Sequence, residues 1–183
     1  CDLAKANNLK VIEDCSQAHG ALIKEKHVGS FGDLSCWSFC QDKIMTTGGE
    51  GGMVASNSDK YWKKLWSIKD HGKNLDLVLE KNNNHGFKWV HDDIGYNFRL
   101  TEMQSAIGRI QLNYLKKWSD LRRRNANILI EKLSLLSNIR IPVPASIYRH
   151  AWYKFYVYLK INALKENWSR NRIIEEIKQC GYP

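Results

Sequence analysis

Two periodicities share this chain. The first third carries short apolar runs with strand-like alternation. Leu9-Lys10-Val11-Ile12 is one and ends at Glu13-Asp14; Leu34 to Phe39, with Trp37 and Phe39 in step, is the next; Met53-Val54-Ala55-Ser56 is a third. Residues Ala4 to Asn8, ahead of them, read as the tail of a helix. Turn-like stretches separate the runs: CSQAHG at residues 15–20, VGSFGD at 28–33, and a glycine-rich loop at 48–52. From Asp59 to Lys69 the period lengthens to that of a helix, with Trp62, Leu65, Trp66 and Ile68 among lysines and His71-Gly72 as its stop. Lys73 to Val90 is polar and asparagine-rich and predicts a long loop.

The strongest signal is a helix running from Thr101 toward Ser137. Thr101 with Gln104 fits a capping box, and Met103, Ile107, Ile110, Tyr114, Trp118 and Leu121 recur at helical spacing. Its other face carries Lys116, Lys117, Arg122, Arg123 and Arg124. Such a run is either a solvated face or a contact for phosphate or nucleic acid. Beyond Pro142 and Pro144 the pattern changes. Trp152 to Ile161 predicts a strand of aromatic and β-branched residues, and Ser169 to Cys180 a last helix stopped by Gly181. The expected divisions are residues 1–100, a linking helix at 101–137, and a second region at 138–183, with the change near Asn138.

Composition narrows the class. A length of 183 residues suits one domain or parts of two, and 43% hydrophobic with 26% charged residues predicts a packed core. No apolar run approaches the roughly 20 residues of a membrane helix. The chain opens CDLAKANNLK without an initiator Met and stops abruptly at Gly181-Tyr182-Pro183, so it is expected to be a fragment of a longer protein. Five cysteines with no CxxC and no zinc-like spacing predict reduced cytosolic thiols and no metal site. A formal net charge of +9 favours anionic partners, whether nucleic acid, acidic lipid or phosphorylated small molecules.

Candidate chemistry gathers at LSCWSFCQDKIMTTGGEGG, residues 34–52. Lys43 stands where a buried strand meets a polar turn. It is open to two readings: a surface-turn lysine, or a nucleophile toward carbonyls, which a partly desolvated amine becomes. Asp14 ends a strand, where open α/β sheets place ligand contacts, and is a candidate to hold a cationic ring nitrogen; its other reading is a turn or cap residue. Gln17 follows three residues on.

Taken together, VIEDCSQAHG, VGSFGD, CWSFCQDKIMTTGGEGGM and IGYNFRLTEMQSAIGRIQL resemble the sugar aminotransferases of the DegT/DnrJ/EryC/StrS family, which use pyridoxal phosphate (PLP) and include the perosamine synthases. The resemblance implies an α/β fold of the aspartate-aminotransferase type (fold type I). The chain would hold the second half of the large PLP-binding domain and the start of a small domain. It implies that Lys43 is the lysine that joins the cofactor aldehyde and later shuttles a proton. It further implies that Asp14 pairs with the pyridine nitrogen, that Gln17 lies beside the ring, and that Ser38 binds the cofactor phosphate. Asn97 would reach the phosphate of a neighbouring subunit's PLP in a homodimer with shared active sites, and Arg99 would contact the nucleotide-sugar or, equally, pair with a carboxylate. The implied activity is transfer of an amino group, from glutamate, to a nucleotide-linked keto-sugar in the cytoplasm, for lipopolysaccharide or other polysaccharide. Lysine at position 43 separates such enzymes from relatives that carry histidine there and eliminate water. Asp42 departs from the Ser or Thr usual before the lysine; neighbours on an extended turn diverge, so it is expected to face away. The alternative is a regulatory or nucleic-acid-binding protein on the same fold.

Overall fold

The computed structural model describes residues 1–80 and 89–182. The chain opens with little more than one helical turn, α1 (Asp2–Ala6), and enters β1 (Ile12–Asp14). A tight hairpin follows, β2 (Leu22–Ile23) and β3 (Lys26–His27), and then β4 (Leu34–Ser38) and β5 (Gly52–Ala55). β4 is the centre of a three-stranded sheet, with β1 parallel on one side and β5 antiparallel on the other. A parallel pair needs a crossover between its strands; here residues 15–33, hairpin included, supply it. The parallel register sets Asp14 opposite Cys36, so the carboxyl ends of β1 and β4 lie at one edge of the sheet.

β1 begins later than the apolar run suggests. The Val11 carbonyl accepts the N–H of Asp33 at 2.8 Å, and the Val11 N–H donates to the Asp33 carboxylate at 2.9 Å, so Val11 closes a loop. The glycine-punctuated loop ahead of β4 is organised by Glu13. Its carboxylate accepts the N–H groups of Gly29, Phe31 and Gly32, each at 2.7 Å.

α2 (Asp59–Lys69) forms where the helical period predicts it. The expected long loop begins instead with a short helix, α3 (Leu75–Leu79), because Asn74 caps it by accepting the Leu77 N–H at 3.0 Å. Within the rest of that expected loop, residues 81–88 lie outside the described residues. α4 (Glu102–Leu133) is an unbroken helix of 32 residues. Its capping box is reciprocal: Gln104 N–H donates to Thr101 Oγ1 and Thr101 N–H to Gln104 Oε1.

Past α4, β6 (Ile139–Arg140) pairs with β8 (Tyr158–Leu159), while β7 (Tyr148–Arg149) returns to β2 as the third strand of the hairpin sheet. The region after Asn138 is thus tied back to the first region through β7. The strand expected over Trp152 to Ile161 is not formed as such; only Tyr158–Leu159 are strand. Trp152 takes a left-handed backbone conformation at φ +52°, and its ring packs against His150 and Phe155, so the aromatic alternation serves ring packing in place of a ladder. α5 (Arg170–Gln179) closes the described chain, capped by Ser169, whose Oγ accepts the Arg172 N–H.

Among the described residues the buried apolar ones are Cys15, Leu22, Phe39, Ile44, Met45, Leu75, Ala126 and Ala151, and four of them lie in the turns that follow β1 and β4. Met103, Ile110 and Tyr114 on α4 stay exposed. Among the described residues no helix is long and apolar enough to cross a membrane.

Candidate active site

Lys43 owes its position to its neighbours in the chain. Phe39 N–H donates to the Gly51 carbonyl at 2.8 Å, and the Phe39 carbonyl accepts both Thr46 Oγ1 at 3.0 Å and Thr47 N–H at 3.3 Å. These bonds fold residues 39–51 back on themselves. Ile44, Met45 and Thr47 are buried and anchor the turn, and Lys43 N–H closes it by donating to the Cys40 carbonyl at 3.0 Å. The Lys43 side chain is left only 14% exposed, at the carboxyl end of β4. A lysine so enclosed is the exception among surface turns.

Asp14 lies at the same edge, at the end of β1. It is exposed, and its carboxylate accepts the N–H of Ser16 at 3.0 Å and the Ser16 hydroxyl at 2.5 Å. The Ser16 hydroxyl above all, then its N–H, hold the Asp14 carboxyl below the usual range, and the charge of Lys43 adds to this. Gln17 is exposed one step further along the same turn. Ser38 ends β4, and its hydroxyl oxygen accepts the Cys40 N–H at 3.3 Å. Four sequence-predicted residues, Asp14, Gln17, Ser38 and Lys43, therefore border one sheet edge.

Asn97 and Arg99 form a separate group. Arg99 Nε donates to Asn97 Oδ1 at 3.0 Å and lies 3.5 Å from Asp70 Oδ1, while Asn97 pairs with Asp70 in an isolated bridge. Among the described residues, no hydrogen bond, ion pair or ring contact joins either residue to Asp14, Gln17, Ser38 or Lys43.

Two residues at the edge escape sequence reasoning. His19 is only 2% exposed, and among the described residues neither ring nitrogen meets a partner in good hydrogen-bond geometry, the Ser38 backbone being the nearest candidate. Its ring packs against Trp37 and Phe39 at centroid distances of 5.3 and 6.0 Å. Burial pushes its pKa down, so the imidazole is neutral near pH 7. The second is Tyr153, whose hydroxyl donates to Asp42 Oδ2. Asp42 does not stand apart from the amine as expected: its Oδ1 is 3.9 Å from Lys43 Nζ. Tyr153 attracts it across the turn, which a purely local rule for neighbouring side chains does not register. Cys15, beside Asp14, is no rival nucleophile; burial pushes its thiol up to about 11.

The architecture is that of the PLP-dependent sugar aminotransferases of fold type I. The aminotransferase from Psychrobacter cryohalolentis, a solved structure, matches with a TM-score of 0.92 and 46% identity over 100% of this chain and 48% of that one. Over residues 1–182 the sequence matches the DegT/DnrJ/EryC1/StrS aminotransferase family, and the chain belongs to that family. The UDP-N-acetyl-3-dehydro-α-D-glucosamine 3-aminotransferase of Acidithiobacillus ferrooxidans is 37% identical over 157 residues, 86% of this chain and 39% of its own. The GDP-perosamine synthase of Escherichia coli is 39% identical over 137 residues, 71% of this chain and 35% of its own. The chain spans less than half the length of each of these proteins.

Proposed function

We propose that the full-length protein moves an amino group, from glutamate, onto a keto group of a nucleotide-linked hexose. It would do so with PLP, in a cytoplasmic homodimer that serves synthesis of lipopolysaccharide or another polysaccharide. One observation carries the reading: a nearly enclosed primary amine, Lys43, and an exposed carboxylate, Asp14, share one end of a parallel strand pair. Relatives named as a UDP-sugar 3-aminotransferase and a dTDP-sugar transaminase support the substrate class.

The donor set suits the cofactor. An aldehyde needs an amine, a protonated ring nitrogen needs a carboxylate, and a phosphate needs hydroxyl and N–H donors. Lys43, Asp14 and Ser38 supply the amine, the carboxylate and a hydroxyl. PLP, when bound, stabilises negative charge at the substrate carbon that loses a proton. Asp14 stays ionised through the neutral range, because Ser16 satisfies its charged form, and would thereby favour the protonated form of a ring nitrogen held against it. Lys43 would hold the cofactor through its amine and, when that amine is free, would serve as the base that moves the proton. Ser38 already accepts a hydrogen bond from Cys40, which leaves its O–H to donate to a phosphate oxygen. Asn97 and Arg99, grouped around Asp70, are assigned to a neighbouring subunit's cofactor phosphate and to the anionic nucleotide-sugar.

The basic face of α4 does not favour a nucleic-acid reading. Arg122 donates to the Trp152 and Tyr153 carbonyls, and Arg123 and Arg149 both pair with Asp120. The direct test supplies the full-length protein with PLP, glutamate and nucleotide-linked keto-sugars and follows 2-oxoglutarate and the amino-sugar product. Formation of both supports the reading. Elimination of water, or no turnover with any keto-sugar, contradicts it.

A further inference from the structure

Tyr153 and Asp42 are 111 positions apart, yet the phenol donates to the carboxylate. Lys43 Nζ lies 5.1 Å from the centre of the Tyr153 ring and 3.9 Å from Asp42 Oδ1. An ammonium is attracted by a ring face and by a carboxylate through different fields, and here both act on one amine. Phenol and carboxylate also hold each other. The hydrogen bond to Asp42, with burial next, pushes the Tyr153 hydroxyl up to about 12, so the phenol stays a donor throughout the neutral range.

The position of Tyr153 is built by the fold. Arg122 on α4 donates to the carbonyls of Trp152 and Tyr153 at 3.3 and 3.5 Å. Arg149 Nη2 lies 2.7 Å from Asp120 Oδ1, which fixes the same segment four residues earlier. Between these anchors Trp152 holds φ at +52°, a conformation that a bulky residue keeps only when its surroundings impose it. Strain next to the residue that meets Lys43 is where a functional constraint is expected. Lys154 Nζ also faces the Tyr153 ring, at 5.2 Å, but from an exposed residue.

We propose that Tyr153 is a positioning residue for Lys43: its ring and the Asp42 carboxylate form a cradle that holds the amine at the sheet edge whenever that amine is not covalently engaged. The proposal rests on the reading of Lys43 as the reactive lysine. In an aminotransferase the lysine is released and recaptured in each cycle, and a cradle keeps the free amine from wandering into solvent.

The experiment uses the full-length protein freed of cofactor, pulsed with formaldehyde and cyanoborohydride, with labelling of each lysine read by mass spectrometry. Y153F removes the hydroxyl, Y153L removes the ring as well, and D42N removes the charge. Labelling of Lys43 is expected to rise by about fivefold in Y153L and D42N, the factor carried by one interaction of this kind, and by less in Y153F. Lys10 and Lys116 should label as before. Should Y153L fail to fold, D42N at an exposed carboxylate and Y153F decide. A Lys43 rate within about twofold of the parent in every folded variant overturns the cradle. A parallel sample, loaded with PLP and reduced with borohydride, separates the two ideas. Cofactor on a lysine other than Lys43 removes the underlying reading; cofactor on Lys43 with unchanged labelling rates removes only the cradle.

Discussion

Gln111 on α4 accepts the N–H of Thr46 at 2.8 Å, joining the long helix to the lysine-bearing turn across 65 positions. Gln104, two helical turns earlier, donates to the Glu50 carbonyl at 2.7 Å. Between them Gly108 is buried, and a Cβ there would meet Thr47 Cγ2 at 2.9 Å. The first turns of α4 are therefore the bed on which the turn of Lys43 rests. Replacing Gly108 with Val overpacks that bed. Such changes cost about 1–3 kcal/mol and shift backbone locally. G108V is expected to weaken PLP binding by about tenfold while the far-ultraviolet dichroism holds, as titration of the visible cofactor band will show. Unchanged affinity would mean that α4 does not set the turn.

Glu13 gives a stability prediction with a definite pH sense. Burial pushes its carboxyl up, but the N–H groups of Gly32, Gly29 and Phe31 outweigh this and hold it below the ordinary value of 4.5. A lowered carboxyl stabilises the fold above the unfolded value and loses that contribution as pH falls through the folded one. Stability should thus drop below about pH 4.5 in the parent. E13A leaves three N–H donors without their acceptor and should cost about 3 kcal/mol in chemical denaturation, with a shallower acid limb.

Gly72 and Gly95 interlock. Gly72 has φ +74°, and a Cβ on it would overlap the Asp93 carbonyl, while a Cβ on Gly95 would overlap the Gly72 backbone. This contact lays residues 91–99, with Asn97 and Arg99, against the end of α2. G72A combines strain with overlap and should destabilise by about 2 kcal/mol or more, read as a lowered denaturation midpoint.

Asp14 tests the electronic side of the site. D14N keeps the shape and removes the charge, so a bound ring nitrogen no longer keeps its proton. Turnover of the full-length enzyme should fall by about 100-fold, with cofactor binding weakened less than in D14A. Turnover undiminished in D14N, with the loss confined to D14A, would assign Asp14 to shape alone.

The sequence made α4 legible down to its capping box, because every part of that signal is local: Thr101 and Gln104 are one turn apart, and the apolar spacing is regular. β4, α2 and α5 were readable for the same reason. Lys43 stood out by its setting between a buried strand and a glycine-rich turn. What stayed hidden depends on distant partners. Glu13 reads as a polar strand end, and its partners are backbone N–H groups 16 to 19 residues on. Tyr153 sits in an aromatic alternation that resembles a strand, and only the fold brings it to Asp42. His19 looks like one more polar turn residue, yet it is buried between two aromatic rings.

The account turns on which side chain bonds to the cofactor. The most direct measurement loads the full-length protein with PLP, reduces it with borohydride, and locates the modified peptide by mass spectrometry. The account predicts a pyridoxyl group on Lys43 and none in K43A, with loss of the visible band in that variant. A pyridoxyl group on another lysine, or an unchanged band in K43A, would contradict it.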